Sequence, residues 1–292
     1  MNYEGIVYRP PIEANTFLLQ VAIGCAHNKC TYCNMFKDKC FRVLPLDKIE
    51  ESLKLAKQYY SRIERVFLVD GDAFVLKAEI LKSIAVLIRK YFPECKTITM
   101  YGSIQNIKSK TIEELKELRE IGINDLYIGI ESGSDEVLLK VNKGHTVKEA
   151  IEQLDKLNVA NINHASLIMF GIAGKGKGIE NAKATAKLLN RVKPKIIINA
   201  TLAVFEETKL YEEVQNGIFV EANELENLIE EKTFLENLEL DEVFFWGNHV
   251  SNSTGIAGIV GKEKESMLKT LKYNIENFDE ATFDRPFRGT HL

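Results

Sequence analysis

An α/β fold on a parallel sheet is what this sequence predicts, and three observations predict it. Short apolar runs rich in Val, Ile and Phe alternate with segments of helical apolar period. Six strand–helix units follow one another, and parallel neighbours need long crossovers of that kind. No solenoid repeat, low-complexity stretch or Pro/Gly/Ser linker interrupts them. Six units are too few for a complete eight-fold barrel, which leaves a doubly wound open sheet or a partial barrel.

In chain order, residues 16–23 form the first expected strand. A helix over 46–60 follows, with Leu46, Ile49, Leu53, Ala56 and Tyr60 on one face and Asp47 and Glu50 near its start. Residues 65–69 read as a buried strand, and 77–91 as a helix aligned on Ile80, Ile84, Leu87 and Tyr91. A third strand at 97–101 leads to a helix over 111–121, opened by Thr111 and Glu114 at capping-box spacing. The fourth strand is 126–130, followed by a short helix capped at Ser134 and another opened by a Thr146/Glu149 box. Strands at 163–170 and 196–202 flank a helix over 179–191. Beyond residue 205 the chain reads as helical, over 221–238 and 262–278, with an aromatic run Val243-Phe244-Phe245-Trp246 between. The expected organisation is a core over 1–205 and an extension over 206–292 that covers it on the substrate side.

Composition narrows the function classes. The 292 residues are 45% hydrophobic and 27% charged, with a formal net charge of −4. That balance argues against a chain whose main task is gripping nucleic-acid phosphates. No run of about 18 apolar residues predicts a membrane span. The first eleven residues lack the apolar stretch of a signal peptide, so a cytoplasmic protein is expected.

Three of the five cysteines fall within nine residues, in Gly24-Cys25-Ala26-His27-Asn28-Lys29-Cys30-Thr31-Tyr32-Cys33. A tight cluster after a first strand suits metal or redox chemistry better than a disulfide framework. Zinc would take His27 as a fourth ligand, but His27 lies only two residues after Cys25, a very tight chelate. Three thiolates suit a four-iron cluster with one iron open to an exogenous ligand. Cys40 and Cys95 stand apart, and Cys40 reads as a loop thiol in preference to a hydrogen-atom donor.

Further motifs sit after later strands: Asp70-Gly71-Asp72 after the second, Ser103 after the third, Gly129-Ile130-Glu131-Ser132-Gly133-Ser134 after the fourth, continuing to Lys143-Gly144, and Met169-Phe170-Gly171 ending the fifth. The glycine-rich run 171–178 lacks the Gly-Lys-Ser/Thr ending of a phosphate loop, which argues against a nucleoside triphosphate.

Taken together, the cysteine loop and these motifs resemble the radical S-adenosylmethionine (SAM) superfamily, in the branch of oxygen-independent coproporphyrinogen oxidases, methylthiotransferases and cobalamin-dependent members. The likeness covers residues 18–202. The loop departs from the commoner Cys-x3-Cys-x2-Cys form by one residue, having four between Cys25 and Cys30.

The resemblance implies a partial (β/α)6 TIM-like barrel with a helical C-terminal extension. It implies a [4Fe–4S] cluster on Cys25, Cys30 and Cys33, with Tyr32 beside it. Asp70, Gly71 and Asp72 would receive the methionyl amine, with Asp72 at a position more often Glu. Glu131 and Ser132 would bind the ribose hydroxyls, and Gly171 would lie near the adenine. Ser103 either touches the cofactor or only shapes a turn.

The activity implied is reductive cleavage of SAM to a 5′-deoxyadenosyl radical that takes hydrogen from a small-molecule or otherwise unidentified substrate. A low-potential donor, ferredoxin or flavodoxin, would supply the electron, and the cluster would be oxygen-sensitive. Two other classes use the same cysteines, an iron–sulfur electron carrier and a zinc-stabilised α/β binding protein. Asn248, His249 and Asn252 either line the substrate pocket or follow a closing strand whose aromatics fill the core. His164 faces either substrate or core.

Overall fold

The computed structural model describes residues 3–279. They form two compact units whose boundary does not follow the chain. One comprises residues 3–28, 36–129 and 152–164, and the other 29–35, 130–151 and 165–279. The described residues after 205 share a unit with residues 165–205.

The expected first strand is two, β1 (Phe17–Gln20) and β2 (Ala22–Ile23). β2 turns away to pair antiparallel with β3 (Arg42–Val43), while the Val21 amide bonds the Val69 carbonyl. Helix α1 (Leu46–Tyr59) buries Ile49, Leu53 and Ala56, whereas Leu46 and Tyr60, expected on the same face, are exposed. β4 (Arg65–Val69) is buried along its last four residues, as a strand covered on both faces must be.

Helix α2 (Ala78–Tyr91) buries Leu81, Ile84, Ala85 and Ile88, a face turned by about one residue from the expected one. β5 (Thr97–Gly102), α3 (Ile104–Lys108), α4 (Ile112–Glu120) and β6 (Ile123–Glu131) follow. In the first unit β1, β4, β5 and β6 pair in that order, all parallel. The Thr111–Glu114 box forms as the spacing predicts.

The chain continues through α5 (Asp135–Lys140), α6 (Val147–Val159), β7 (Asn163–Phe170), α7 (Gly178–Val192) and β8 (Ile196–Thr201). After α8 (Lys209–Gln215) and α9 (Glu224–Glu236), the aromatic run becomes β9 (Phe244–Trp246), parallel to β8. β10 (Ala257–Ile259) pairs with β9 antiparallel, and α10 (Val260–Glu276) closes the described chain. Phe245 is fully buried and stacks near Phe234 of α9, which meets Phe170 of β7, so the strand reading of the aromatic run holds. No helix among the described residues is long and apolar enough to cross a membrane.

The first unit is fastened at the amino ends of its strands by a buried carboxylate. Glu13 receives Nη2 of Arg65 at 2.6 Å and the Tyr127 hydroxyl at 2.5 Å, and Arg65 Nη1 also reaches Asp125 at 2.7 Å. Burial lifts the Glu13 carboxyl, but hydrogen bonds from Arg65, Thr16 and Tyr127 outweigh it and hold the group below its ordinary value. Its stabilisation is present above the unfolded carboxylate range and is lost as pH falls through the folded value. Because Arg65 is one-third exposed, Glu13→Gln should cost about 2–3 kcal/mol in urea denaturation at pH 7, and much less at pH 3.

Candidate functional site

The cysteine loop is divided between the two units, Cys25 in the first and Cys30 and Cys33 in the second. All three are half-buried thiols outside any disulfide, Cys40 is exposed and Cys95 is buried.

In the first unit, β2 ends at Gly24, whose φ of +77° is easy only for glycine. The Gly24 amide donates to Asp70 Oδ2 at 3.2 Å, and Lys39 Nζ reaches the same oxygen at 3.3 Å. Asp70 is fully buried, and burial raises its carboxyl while the Gly24 amide and Lys39 oppose the rise. Its other oxygen, Oδ1, is buried without a hydrogen-bond partner.

At Gly71 a Cβ would stand 2.2 Å from the Phe36 ring, so the glycine is required by that close packing. Asp72 is buried at the start of the turn 73–75. Lys110 pins that turn, donating to the Phe74 carbonyl at 2.7 Å with its ammonium 4.3 Å from the Phe74 ring centroid. Burial lowers the Lys110 ammonium to about 8. Ser103 is the N-cap of α3 in a reciprocal box with Asn106, the turn role. His164 is buried.

In the second unit, the Thr31 amide donates to the Val141 carbonyl and the Leu210 amide to the Thr31 carbonyl. These bonds seat Tyr32 in an apolar cluster with Val137, Val141, Ile172, Ala173 and Leu210, against which Cys30 and Cys33 pack. The Thr31 hydroxyl oxygen is buried without a partner. Lys143 Nζ lies 2.8 Å from Glu131 Oε1, both side chains nearly out of water. Burial pulls the Lys143 ammonium down, but Glu131, Cys30 and Cys33 lift it above the ordinary lysine value. Burial also raises the Tyr32 phenol, as do the charges of Glu131, Cys30 and Cys33 and a hydrogen bond with Glu131.

Glu131 has a φ of +65°, an unusual conformation for a side chain of its size. The turn it begins is packed against α7. A Cβ on Gly133 would stand 2.3 Å from the Ala184 carbonyl oxygen, and the Gly133 amide donates to Thr185 Oγ1 at 2.9 Å. The Ser132 hydroxyl is buried, donates to Asn181 Oδ1 and accepts the Ser134 amide at 3.0 Å. Ser134 is the N-cap of α5 by backbone position, without a side-chain cap bond.

The glycine-rich run after β7 is no anion cradle. Glu230 Oε2 accepts the Gly171 amide at 2.8 Å, the Val220 carbonyl accepts that of Lys175, and Glu226 accepts that of Gly176. Gly171 has a φ of +77°, and a Cβ there would meet Asn227 Oδ1 at 2.9 Å.

At the end of β8, Asn252 accepts the Thr201 hydroxyl and donates to the Asn199 and Gly247 carbonyls, which ties its loop down. His249 Nδ1 lies 2.8 Å from Ser251 Oγ, burial lowers the ring's pKa, and Asn248 is exposed.

Sequence reasoning assigned no role to Lys143, Lys110, Asn181 or Glu230. Lys143 stood at the end of the Glu131 motif, and Glu230 left a trace as a carboxylate three residues after Asn227 and four before Phe234, on the buried side of α9.

Among the described residues there is no group of three or more His, Cys, Asp or Glu side chains that could hold a metal ion. The fit to an iron–sulfur group rests on donor chemistry, three thiols on one short loop, and on the partnerless hydroxyl of Thr31 on that loop.

Comparison with known proteins adds the following. The family model described as the radical SAM superfamily matches residues 19–189. The heme chaperone HemW of Bacillus subtilis is 23% identical over 292 residues, covering 90% of this chain and 75% of that protein. HemW of Buchnera aphidicola subsp. Schizaphis graminum is 25% identical over 173 residues, covering 56% and 43%. Among solved structures, coproporphyrinogen III oxidase (HemN) of Escherichia coli, titled a radical SAM enzyme, superposes with a TM-score of 0.53 at 16% identity, covering 64% of this chain and 44% of that one. Elp3 of Methanocaldococcus infernus gives 0.56 at 14%, covering 87% and 63%. The chain thus spans less than half of the Buchnera relative and of the Escherichia coli oxidase. The structural likenesses show the expected fold class, an α/β partial barrel.

Two buried neighbours on α9 generate a pH prediction. Burial raises Glu230 to about 7 and Glu231 to about 8, with Glu226 adding to the first rise and Glu230 to the second. A carboxyl raised on folding contributes most when protonated, so this stabilisation falls as pH rises from the unfolded value through the folded one. On going from pH 9 to pH 5, wild type should gain roughly 4 kcal/mol more stability than Glu231→Gln. Urea midpoints at the two pH values measure the difference, and equal gains would contradict the burial argument.

Proposed function

The chain belongs to the radical SAM superfamily, whose cofactors are a [4Fe–4S] cluster and SAM, and we propose that it cleaves SAM reductively to start a hydrogen abstraction. When bound, the cluster supplies the electron that splits the sulfonium into methionine and a 5′-deoxyadenosyl radical. Cys25, Cys30 and Cys33 hold it. The observation that carries this reading is the packing of Cys30 and Cys33 against the cluster that holds Tyr32, whose phenol bonds Glu131 of the Glu131–Lys143 ion pair.

Each residue has a physical task. Lys143 offsets the negative charge that sulfur ligands and Glu131 bring into an apolar cluster. Tyr32 covers that cluster and turns its hydroxyl to Glu131. Glu131 offers carboxylate oxygen to ribose hydroxyls from the end of β6. Ser132 supports that turn from beneath, its hydroxyl being engaged by Asn181. Gly71 and the acidic residues flanking it receive the methionyl ammonium, and Gly171 lies beside the adenine. Ferredoxin or flavodoxin reduces the cluster, and the hydrogen comes from a small-molecule or otherwise unidentified substrate.

Anaerobically reconstituted protein should contain iron and sulfide in equal amounts and release 5′-deoxyadenosine from SAM after dithionite reduction. Cys25→Ala, Cys30→Ala and Cys33→Ala should each abolish release, by a factor of at least 100. Cluster-loaded wild type that releases none would contradict the reading.

The Bacillus subtilis relative, similar along 90% of this chain, favours a second reading in which the chain carries heme. Titrating heme should then produce a saturable Soret shift at one equivalent, with or without SAM. A linear, non-saturating absorbance would dismiss it.

A further inference from the structure

We infer that Glu230, on α9 beyond the expected core, is a positioning residue that sets two strand-end turns at once, at the ends of β6 and β7. Both its oxygens accept. Oε2 takes the Gly171 amide at 2.8 Å, and Oε1 takes Asn181 Nδ2 at 2.7 Å. Asn181 then has only Oδ1 to turn toward Ser132, whose hydroxyl donates to it and accepts the Ser134 amide.

The polarity therefore runs one way, from the Ser134 amide through Ser132 and Asn181 to a terminal carboxylate. The three side chains of the path are buried: Ser132 and Glu230 are 0% exposed and Asn181 3%. An apolar side chain of the same length accepts from neither donor, and a buried donor without an acceptor costs more than a bond's net worth.

Room for the carboxylate is built in. A Cβ on Gly178, the first residue of α7, would stand 2.8 Å from Glu230 Oε2. Glu230 touches neither Glu131 nor a cysteine in any bond described, so it acts on the turn beside Glu131 only through Asn181 and Ser132. Glu231, its neighbour, serves a different strand end, accepting Asn199 Nδ2 at 3.1 Å.

The consequence for ligand rests on the reading that the Glu131 and Gly171 turns bind SAM. Replacing Glu230 should weaken SAM binding without touching a SAM atom.

The test uses the full chain with Glu230→Met, which keeps the volume and removes both acceptors, and Glu231→Gln as control. Amide hydrogen exchange in protein without SAM is the first readout, and SAM affinity of reconstituted protein by equilibrium dialysis is the second. Exchange at Gly171 and across 132–134 should rise at least tenfold in Glu230→Met and stay within twofold in Glu231→Gln. The SAM Kd should rise at least tenfold in the first and stay within twofold in the second.

Asn181→Ala, which cuts the path midway, should release 132–134 while leaving Gly171 protected, and it decides the matter equally well should Glu230→Met fail to fold. Unchanged exchange at 132–134 in Glu230→Met or Asn181→Ala overturns the relay. Loosened turns with an unchanged SAM Kd overturn the positioning role. Wild type that binds no SAM overturns the proposed function itself, a result distinct from both.

Discussion

Burying a charge is costly unless something answers it, and here the answer at the end of β6 is an ammonium 2.8 Å from a carboxylate. Lys143 and Glu131 are twelve residues apart, joined by a turn and α5, and neither could stay in that apolar cluster alone. Glu131 itself stands in a left-handed conformation at that strand end. Cys30, Cys33 and Tyr32 feel the same pair of charges, so the cysteine loop and the strand end are electrically one arrangement.

The same rule governs the other carboxylates taken from water. Glu13 is answered by Arg65 and Tyr127, and Asp70 by Gly24 and Lys39. Glu230 and Glu231 are answered only by amides, so their carboxyls titrate upward instead of recruiting a cation. Arg65 and Tyr127 hold Glu13 below its ordinary value, whereas at Asp70 burial outweighs Gly24 and Lys39 and the carboxyl still rises.

Much of this was legible along the chain. β4 and β7 run where apolar residues predict them, and the Thr111 box forms because its two partners are local to one another. The cysteine spacing and the Glu131 segment carried the family because ligand sets are written in short stretches. What was not legible depends on partners far apart. The first strand breaks after Gln20 because β3, some twenty residues on, claims its second half. The face of α2 is turned because the sheet, not the helix period, selects which apolar residues go inside. Glu230 looks like one acidic residue among many until α7 and the end of β7 come to it. Nor does the sequence show that a side chain at position 71 would run into the ring of Phe36.

The loop 171–178 has the glycine content of a phosphate receptor, yet Glu226 and Glu230 take two of its amides and a carbonyl takes a third. A polyphosphate tail approaching it would meet negative oxygen where it needs N–H groups. An adenosine bearing a positive sulfonium meets no such repulsion. With the Gly171, Lys175 and Gly176 amides already engaged, the loop keeps the glycines of a phosphate receptor without these donors.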